Sequence, residues 1–404
     1  MSALPIYLDY AAASPLDPAV LEAMVRVLRG PGLHGNPSSR DHIYGWQAAE
    51  AVEEARARVA EAVGCSPLNL VFTSGATESN NLAIMGTVRA ARQGRVRKRH
   101  VISSQIEHKS VLACLEQLRG HGFSVELLPP DRHGLITAAQ VAERITDQTL
   151  LVSIVHASSE LGSLSDIHAI AAVCRERGVI LHSDCAQSAG WVDLHLDDSA
   201  VAMATLTSEK ICGPKGVGAL YIKRGAVQEP SPLLHGGGQE RGLRPGTLAT
   251  HQVVGMGEAF HQMTLQAGAD RERLEGYRRQ LQAALAGLPG VSINGADCHL
   301  PTILSVTFAQ ADPQLLLPGL SGIAASIGSA CTSSVLEPSH VLRALGLSDR
   351  EARATLRFSM GRFTTQEEIS RAADEIADMA GRLAAAGDLW RVDGRSRPDT
   401  SGSE

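Results

Sequence analysis

Between about residues 38 and 222, segments with helical periodicity alternate with short apolar runs rich in β-branched residues. These runs are NLVFTSG, HVISS, FSVELL, TLLVSIVH, GVILHSD, AMATLTS and VGALYI. Short apolar runs without polar alternation are typical of strands that are covered on both faces. The alternation therefore predicts βαβ units and an α/β fold with a mainly parallel sheet.

A glycine-rich segment, HGGGQERGLRPGT, interrupts this alternation, and a long helix is predicted to start near residue 250. Further strands at ILSVTF and ATLRFSM indicate a smaller α+β domain. The chain ends in a polar segment with Pro, Gly and Ser and no periodicity, which is typical of disorder. The predicted boundaries are 15–260 for the large domain, 1–14 and 261–390 for the small domain, and 391–404 for a disordered tail.

Composition narrows the class of protein. The 404 residues are 44% hydrophobic and 20% charged, so disorder of the whole chain is excluded and two globular domains are expected. The formal net charge is -6, so the chain lacks the excess of basic residues that is typical of proteins binding nucleic acid directly. No apolar stretch reaches the roughly 18 residues of a membrane helix, and the first residues lack a basic leader, so a cytoplasmic protein is expected. The 7 cysteines show no CxxC spacing, which predicts neither a disulfide framework nor a metal site.

In TSEKICGPKGVGALYI, Lys210 is followed, after Ile211 and Cys212, by a Gly-Pro-Lys-Gly turn and a buried strand. Burial lowers the pKa of a lysine and makes its amine a nucleophile toward carbonyl groups. The alternative is an ordinary solvated lysine beside a glycine turn. Taken alone, the motif leaves both interpretations open.

Asp184 and Gln187 follow the apolar strand GVIL, at the end where open α/β sheets bind ligands. A buried aspartate there can pair with a protonated pyridine nitrogen of a cofactor. The alternative is a helix N-cap.

In VFTSGATESNN, a strand ends in small and hydroxyl residues that open a helix, and such an end suits a phosphate. Capping alone would equally explain Ser74 and Thr77.

Three further residues complete the candidates. His108 follows the strand HVISS, where an imidazole can stack on a flat ring or move a proton, although a lone histidine is often structural. Cys331 lies among small and polar residues in SIGSACTSSVLEP, as a mobile nucleophile needs, whereas most cysteines are buried and inert. Arg357 lies in a predicted strand and should meet a carboxylate, either of a substrate or in a structural ion pair.

From YLDYAAASPLDP to FSMGRFTTQEE the chain resembles the cysteine desulfurases of the iron-sulfur-cluster assembly type, which have the fold of type I pyridoxal-phosphate enzymes. The motifs GNPSSR, FTSGATESNNLAI, EHKSVL, KICGPKGVGALY, HGGGQERGLRPGT, GSACTSSVLEPSHVLRALGL and RFSMGRFTT carry the resemblance. It implies a mainly parallel seven-stranded sheet, pyridoxal 5'-phosphate as cofactor, a homodimer, and conversion of L-cysteine to L-alanine with a persulfide passed to a sulfur-acceptor protein.

The resemblance also implies roles for individual residues. Lys210 would bond covalently to the cofactor, Asp184 would pair with its ring nitrogen, and Gln187 would contact its ring hydroxyl. His108 would stack on the ring and help to move protons. The phosphate would be held by Ala76, Thr77 and Thr207, together with Thr247 from the second subunit. Arg357 would bind the substrate carboxylate and Cys331 would attack the substrate sulfur.

This chain departs from the family pattern in three places. Ser159 in HASSELG replaces an asparagine, and Glu209 replaces a histidine before the cofactor lysine. A carboxylate near the phosphate would repel it unless it is turned away or protonated, so we expect weaker cofactor retention or a substitute donor. The scaffold-binding segment of the family is not recognisable after Trp390. The acceptor is therefore left open among iron-sulfur assembly, DNA phosphorothioation and tRNA thiolation.

Two rival interpretations use the same residues. A selenocysteine lyase or another β-eliminating enzyme would need Lys210 but not Cys331. A sulfur-transfer platform with weak catalysis would explain the changes at Ser159 and Glu209.

Overall fold

The computed structural model describes residues 4–94, 96–225, 229–328 and 337–392, with side chains up to Leu383. Cys331 lies outside the described residues, and so does the chain after Val392. Within the described ranges, no helix has the length and apolar character needed to cross a membrane.

The helices and strands follow one another in the predicted alternation. The strands are β1 (Ile6–Tyr7), β2 (Leu70–Thr73), β3 (His100–Ser104), β4 (Ser124–Leu128), β5 (Thr149–Val155), β6 (Ile180–Asp184), β7 (Met203–Thr207), β8 (Gly218–Ile222), β9 (Val291–Asn294), β10 (Ile303–Phe308), β11 (Ile323–Ala324) and β12 (Thr355–Ser359). The helices are α1 (Pro18–Arg29), α2 (Ile43–Val63), α3 (Ala76–Gln93), α4 (Lys109–Gly120), α5 (Ala138–Arg144), α6 (Ile167–Glu176), α7 (Thr250–Leu285), α8 (Pro313–Leu316), α9 (His340–Ala344), α10 (Asp349–Arg353) and α11 (Gln366–Val392).

A seven-stranded sheet with the order β2-β8-β7-β6-β5-β3-β4 forms the centre of the molecule. Strands β3 to β7 pair in parallel, whereas β8 runs antiparallel to both β2 and β7. Only residues 208–217 separate β7 from β8, which is too short for a helical crossover, so β8 returns in the opposite direction. The predicted α/β fold with a mainly parallel seven-stranded sheet is confirmed.

The sheet is covered on both faces, and this explains its apolar strands. Every residue of β3, β5, β7 and β8 is buried. Because β3, β5, β6 and β7 are parallel, their carboxyl ends meet at one edge of the sheet. Loops after these ends are the usual ligand-binding position in an open α/β sheet.

Helix α2 shows how sequence sets the helices around the sheet. Ala48, Val52, Ala55 and Val59 recur every three or four residues and are all buried. The helix ends at Gly64, whose φ of 65° is the left-handed conformation that glycine adopts at low cost. The helix starts at Ile43, and its first turn carries exposed apolar side chains that follow no buried stripe.

A smaller three-stranded antiparallel sheet has the order β12-β10-β9. The chain's first strand, β1, pairs in parallel with β11, and Asp9 forms a bridge with Ser359 at the end of β12. The first residues therefore lie with the second half of the chain. Helix α11 continues to Val392, two residues into the segment predicted as tail. The domain boundaries themselves stay a prediction.

Candidate active site

A cavity of about 500 Å³ opens at the carboxyl edge of the large sheet. It brings together residues from the loops after β2, β3, β5, β6 and β7, from the N-terminal segment and from the small sheet. The predicted residues that line it are Ala76, Thr77, His108, Asp184, Gln187, Thr207, Lys210 and Arg357. Thr247 is exposed and is not among the lining residues of this chain. Cys331 falls outside the described residues, so its position stays a prediction.

Lys210 lines the cavity with only 15% of its side chain exposed. Its Nζ donates to the carbonyl of Ala12 at 2.5 Å. The hydroxyl of Ser14 donates to the carbonyl of Glu209 at 2.7 Å and accepts from the amide of Cys212 at 2.7 Å. The loop after β7 is therefore fixed by the N-terminal segment, and the interpretation of Lys210 as a solvated surface lysine is wrong.

Asp184 ends β6 and is buried. Its Oδ2 accepts from Nδ2 of Asn80 at 2.8 Å, and its Oδ1 accepts from the amide of Ala186 at 3.0 Å. The second contact caps a turn, and no helix starts at this point, so the helix N-cap alternative is wrong. Nearby, Nε2 of Gln187 donates to the carbonyl of Ala11 at 2.8 Å.

The start of α3 has the properties of an anion site. Its N-cap is Gly75, which has no side chain to bond the first amides, so the alternative that Ser74 or Thr77 caps the helix is wrong. The amides of the first turn have no acceptor within the helix. A Cβ on Gly218 would lie 2.8 Å from the Cα of Gly75, so glycine there lets β8 approach this turn closely.

His108 is the N-cap residue of α4, in the loop that connects β3 to this helix. Its Nδ1 lies 2.8 Å from Oγ of Ser110 and accepts from the amide of Ser110 at 3.2 Å. The rest of the ring is exposed at the cavity. An imidazole face presented in this way can stack on a planar ligand.

Arg357 in β12 is 4% exposed and meets the carboxylate that the sequence predicted, which is Asp9 at 2.8 Å. A second nitrogen donates to the carbonyl of Ser159 at 2.9 Å. Its Nε is buried and has no partner among the described residues. The guanidinium is thus partly fixed by a structural pair, and its Nε–H has no acceptor among the described residues.

The donor set fits pyridoxal 5'-phosphate. The cavity contains a mostly buried primary amine at Lys210 and a buried carboxylate at Asp184. It also contains the uncapped start of α3 for a phosphate and the exposed face of His108 for a ring. A neighbouring cavity of about 10 Å³ also touches Lys210, but it contains none of the other three features.

Sequence reasoning missed Glu107, which also lines the cavity. Its Oε1 accepts from the hydroxyl of Ser104 at 2.5 Å and from the amide of Val155 at 2.9 Å. Its Oε2 is buried with no partner among the described residues. Burial raises the pKa of Glu107 to about 8, well above the ordinary 4.5. Nothing in EHKS distinguishes this buried acid from a solvated one, because the burial comes from the packing of β3 against β5.

Replacing Glu107 with glutamine should change how stability depends on pH. Between about pH 4.5 and 8 the folded wild type keeps a proton that the unfolded chain has lost, so its free energy of unfolding falls as pH rises through this window. Glutamine cannot ionise, so the variant should gain on the order of 3 kcal/mol relative to wild type between pH 5 and pH 8.5. Urea unfolding at both pH values measures this difference. The exposed Glu116→Gln variant is the control, and parallel pH curves for wild type and Glu107→Gln would contradict the assignment.

Glu160 was also missed, and it joins the two described ends that flank Cys331. Its Oε2 accepts from the hydroxyl of Ser339 at 2.5 Å, and a Cβ on Gly328 would lie 3.4 Å from the same oxygen. His340 donates from Nε2 to the carbonyl of Glu107 at 3.0 Å. Glu160 and His340 both line the cavity. Gly328 and Ser339 therefore both lie beside Glu160 at this wall.

Glu209 lies on the cavity wall, with Oε1 at 3.5 Å from Nζ of Lys210. This carboxylate shares the cavity with the start of α3, so it should repel a bound phosphate. We expect Glu209→His to bind pyridoxal phosphate roughly two- to fivefold more tightly, a modest gain because the side chain is about a third exposed and screened. Titration of cofactor into the cofactor-free chain measures the change. Glu209→Gln separates removal of the charge from addition of a donor, and no gain in either variant would count against the repulsion.

Comparisons with known proteins agree with this geometry. Residues 6–372 match the family described as Aminotransferase class-V. The chain is 46% identical over 391 residues to a protein of Aeromonas hydrophila subsp. hydrophila named cysteine desulfurase IscS, covering 96% of each chain. A solved structure of a NifS-like protein superposes with a TM-score of 0.85 at 32% identity, covering 94% of this chain and 100% of the other. A structure described as SspA in complex with cysteine has a TM-score of 0.78 at 38% identity, covering 89% and 100%.

Both the family match and the identity to relatives extend over nearly the whole chain, including every loop that lines the cavity. The chain belongs to the class-V aminotransferase family, among its cysteine desulfurases.

Proposed function

We propose that this protein takes sulfur from L-cysteine, releases L-alanine, and holds the sulfur as a persulfide on Cys331 for transfer to an acceptor protein. The observation that carries the proposal is the convergence of Lys210, Asp184, His108 and the start of α3 on one cavity. A mostly buried amine, a buried carboxylate and an anion site in one cavity are the groups that pyridoxal phosphate requires.

Pyridoxal phosphate, when bound, supplies an electron sink for the α-carbon of an amino acid. Lys210 would hold it covalently, and Asp184 would pair with its ring nitrogen. The amides of Ala76 and Thr77 and the hydroxyl of Thr207 would hold its phosphate. Gln187 would contact its ring hydroxyl and His108 would cover its face.

Arg357 would bind the carboxylate of cysteine through the donor that its structural contacts leave. Its Nε is buried without a partner among the described residues, and an unsatisfied buried donor is costly until an acceptor arrives. A carboxylate bound there would be fixed by a charge-assisted bond. Asp9 and Ser159 would hold the guanidinium in place while the substrate carboxylate binds.

Cys331 would receive the sulfur. It follows Gly328 by three residues, and such a segment spans at most about 11 Å, so its thiol is within reach of the cavity wall from which the chain departs. The thiolate would form a bond to the sulfur of cysteine while the bond between that sulfur and the β-carbon breaks. The electron pair of the broken bond would stay with the carbon fragment, which is protonated and leaves as alanine.

A homodimer is part of the proposal. Exposed apolar side chains cluster at the start of α2, where Ile43, Tyr44 and Trp46 are about half exposed. Apolar clusters of this kind are typical of protein interfaces. Thr247 is exposed on the glycine-rich segment, so it is available to a second copy of the chain. A second subunit would cover this surface and bring its Thr247 to the phosphate.

The proposal also includes the identity of the protein that accepts the sulfur. Curated relatives named cysteine desulfurase IscS match at 45–47% identity over 96% of the chain, which favours the acceptor of iron-sulfur assembly over acceptors for DNA phosphorothioation or tRNA thiolation. A cytoplasmic location goes with that assignment. No direct contact with nucleic acid or membrane is needed, since the acceptor carries the sulfur onward.

The test is to incubate the full-length protein with pyridoxal phosphate and ³⁵S-labelled L-cysteine. We expect L-alanine in solution and label on Cys331 that reducing agent removes. Adding candidate acceptor proteins one at a time should transfer the label to one of them. Alanine without any label on the protein would replace the proposal with a β-eliminating enzyme, and no alanine would leave only a binding platform.

A further inference from the structure

A continuous chain of hydrogen bonds connects Asp184 to His108 beneath the cavity. Nδ2 of Asn80 donates to Oδ2 of Asp184 at 2.8 Å and to Oγ of Ser110 at 2.9 Å. Oγ of Ser110 lies 2.8 Å from Nδ1 of His108. Asn80 and Ser110 are both buried, so these groups exchange no bonds with bulk water.

The direction of each bond follows from the chemistry of its two groups. A carboxylate only accepts, so Asn80 must present its amide nitrogen to Asp184. That nitrogen has two hydrogens, and the second goes to Ser110. Because Oγ of Ser110 then accepts from Asn80, its own hydrogen is available for Nδ1 of His108.

The alternative orientation of the Asn80 amide would be less favourable. Its Oδ1 is buried and has no partner among the described residues. Turning the amide over would give this oxygen the hydroxyl of Ser110, but it would place the oxygen against the carboxylate of Asp184. Repulsion between two acceptors at hydrogen-bond distance in a buried site outweighs one unmade bond.

The main chain adds a second donor to Nδ1. The amide of Ser110, in the first turn of α4, donates to the same nitrogen at 3.2 Å. A proton on Nδ1 would point at the hydrogen of this N–H, and two donors facing each other repel. The Ser110 hydroxyl could rotate to avoid this repulsion, but the backbone N–H could not. Nδ1 therefore accepts, and the neutral ring carries its proton on Nε2.

We infer that Asn80 and Ser110 are positioning residues that hold His108 in the tautomer with its proton on Nε2. Since Nδ1 is engaged at the start of α4, Nε2 is the nitrogen left to act on a molecule in the cavity. The resting imidazole then donates into the cavity and does not accept from it. This inference rests on the proposed function for its role in catalysis, but the tautomer itself is a property of the chain alone.

Nitrogen-15 NMR of the histidine rings tests the tautomer directly, with and without pyridoxal phosphate, in the full-length chain. The chain has 15 histidines, and a His108→Gln variant assigns the signals of interest by their loss. We expect Nδ1 of His108 to show the shift of an unprotonated ring nitrogen and Nε2 that of a protonated one. The reverse pattern would overturn the inference.

Ser110 variants separate positioning from simple packing. Ser110→Ala removes the hydroxyl donor and should raise the fraction with a proton on Nδ1 by roughly five- to tenfold, the effect of one hydrogen bond. Ser110→Thr keeps the hydroxyl and should retain the wild-type tautomer. An unchanged tautomer in Ser110→Ala, or equal shifts in both variants, would contradict the role of the hydroxyl.

Asn80→Ala should shift the tautomer in the same direction, because the hydroxyl of Ser110 then loses the donor that directs its hydrogen. Asn81→Ala is the matched control, since Asn81 donates instead to the carbonyl of Thr77 at 2.9 Å. No difference between these two variants would overturn the part assigned to Asn80. Alanine formation from cysteine is measured separately, so loss of the proposed activity with an intact tautomer result would refute the function and leave this inference standing.

Discussion

Replacing Lys210 with alanine is expected to abolish retention of pyridoxal phosphate and to lower alanine formation from cysteine by on the order of 10³-fold or more. Among the described residues that line the cavity, the lysines are Lys109 and Lys210, and Lys210 shares the cavity with Asp184 and Thr207. Without its amine, the chain has no covalent hold on an aldehyde at this position. Absorbance of the purified protein and a coupled assay for alanine measure both effects.

Lys215 provides a matched control for this variant. It lies in the same Gly-Pro-Lys-Gly turn but is exposed and is not among the cavity-lining residues. Lys215→Ala should therefore keep both cofactor and activity. Equal losses in the two variants would show that the turn matters for folding rather than for chemistry, and full activity in Lys210→Ala would refute the role of the amine.

Replacing Cys331 with serine is expected to eliminate protein-bound persulfide and to lower alanine formation from cysteine by on the order of 10²-fold or more. A hydroxyl is a far weaker nucleophile toward sulfur than a thiolate, so the bond from sulfur to carbon would lose its attacking group. The cofactor should remain bound, because Lys210, Asp184 and the start of α3 are unchanged. Labelled cysteine and alanine assays together measure the outcome.

Cys298→Ser is the matched control, since Cys298 is an exposed free cysteine that is not among the residues lining the cavity. It should keep wild-type activity. Full alanine formation from cysteine by Cys331→Ser would instead favour a selenocysteine lyase or another β-eliminating enzyme. Loss of cofactor in Cys331→Ser would mean that the thiol affects folding of the site.

The sequence predicted the layout of the large sheet because its strands are apolar on both faces, and this pattern is local. HVISS, GVILHSD and AMATLTS each coincide with a buried strand whose end contributes to the cavity. The resemblance supplied the roles of Lys210 and Asp184, since the spacing alone left a surface lysine and a helix cap open. The structure removes those two alternatives through burial and hydrogen-bond partners.

The sequence did not predict the residues whose environment depends on contacts with distant parts of the chain. Glu107 is adjacent to His108 in the chain, yet its burial depends on Val155 at the end of another strand. Asn80 lies in the recognised motif TSGATESNN, but only the pairing of β6 beside β5 and the placement of α3 bring it to Asp184. The contact between Arg357 and Asp9 joins positions 348 residues apart, which no periodicity encodes.

The central claim is that the amine of Lys210 carries an aldehyde cofactor in this cavity. The most direct measurement is to reduce the purified, cofactor-loaded protein with borohydride and to map the labelled peptide by mass spectrometry. We predict a single pyridoxyl group on the peptide that contains Lys210, and none in Lys210→Ala. A pyridoxyl group on Lys109 or Lys215 instead, or none at all, would contradict the account.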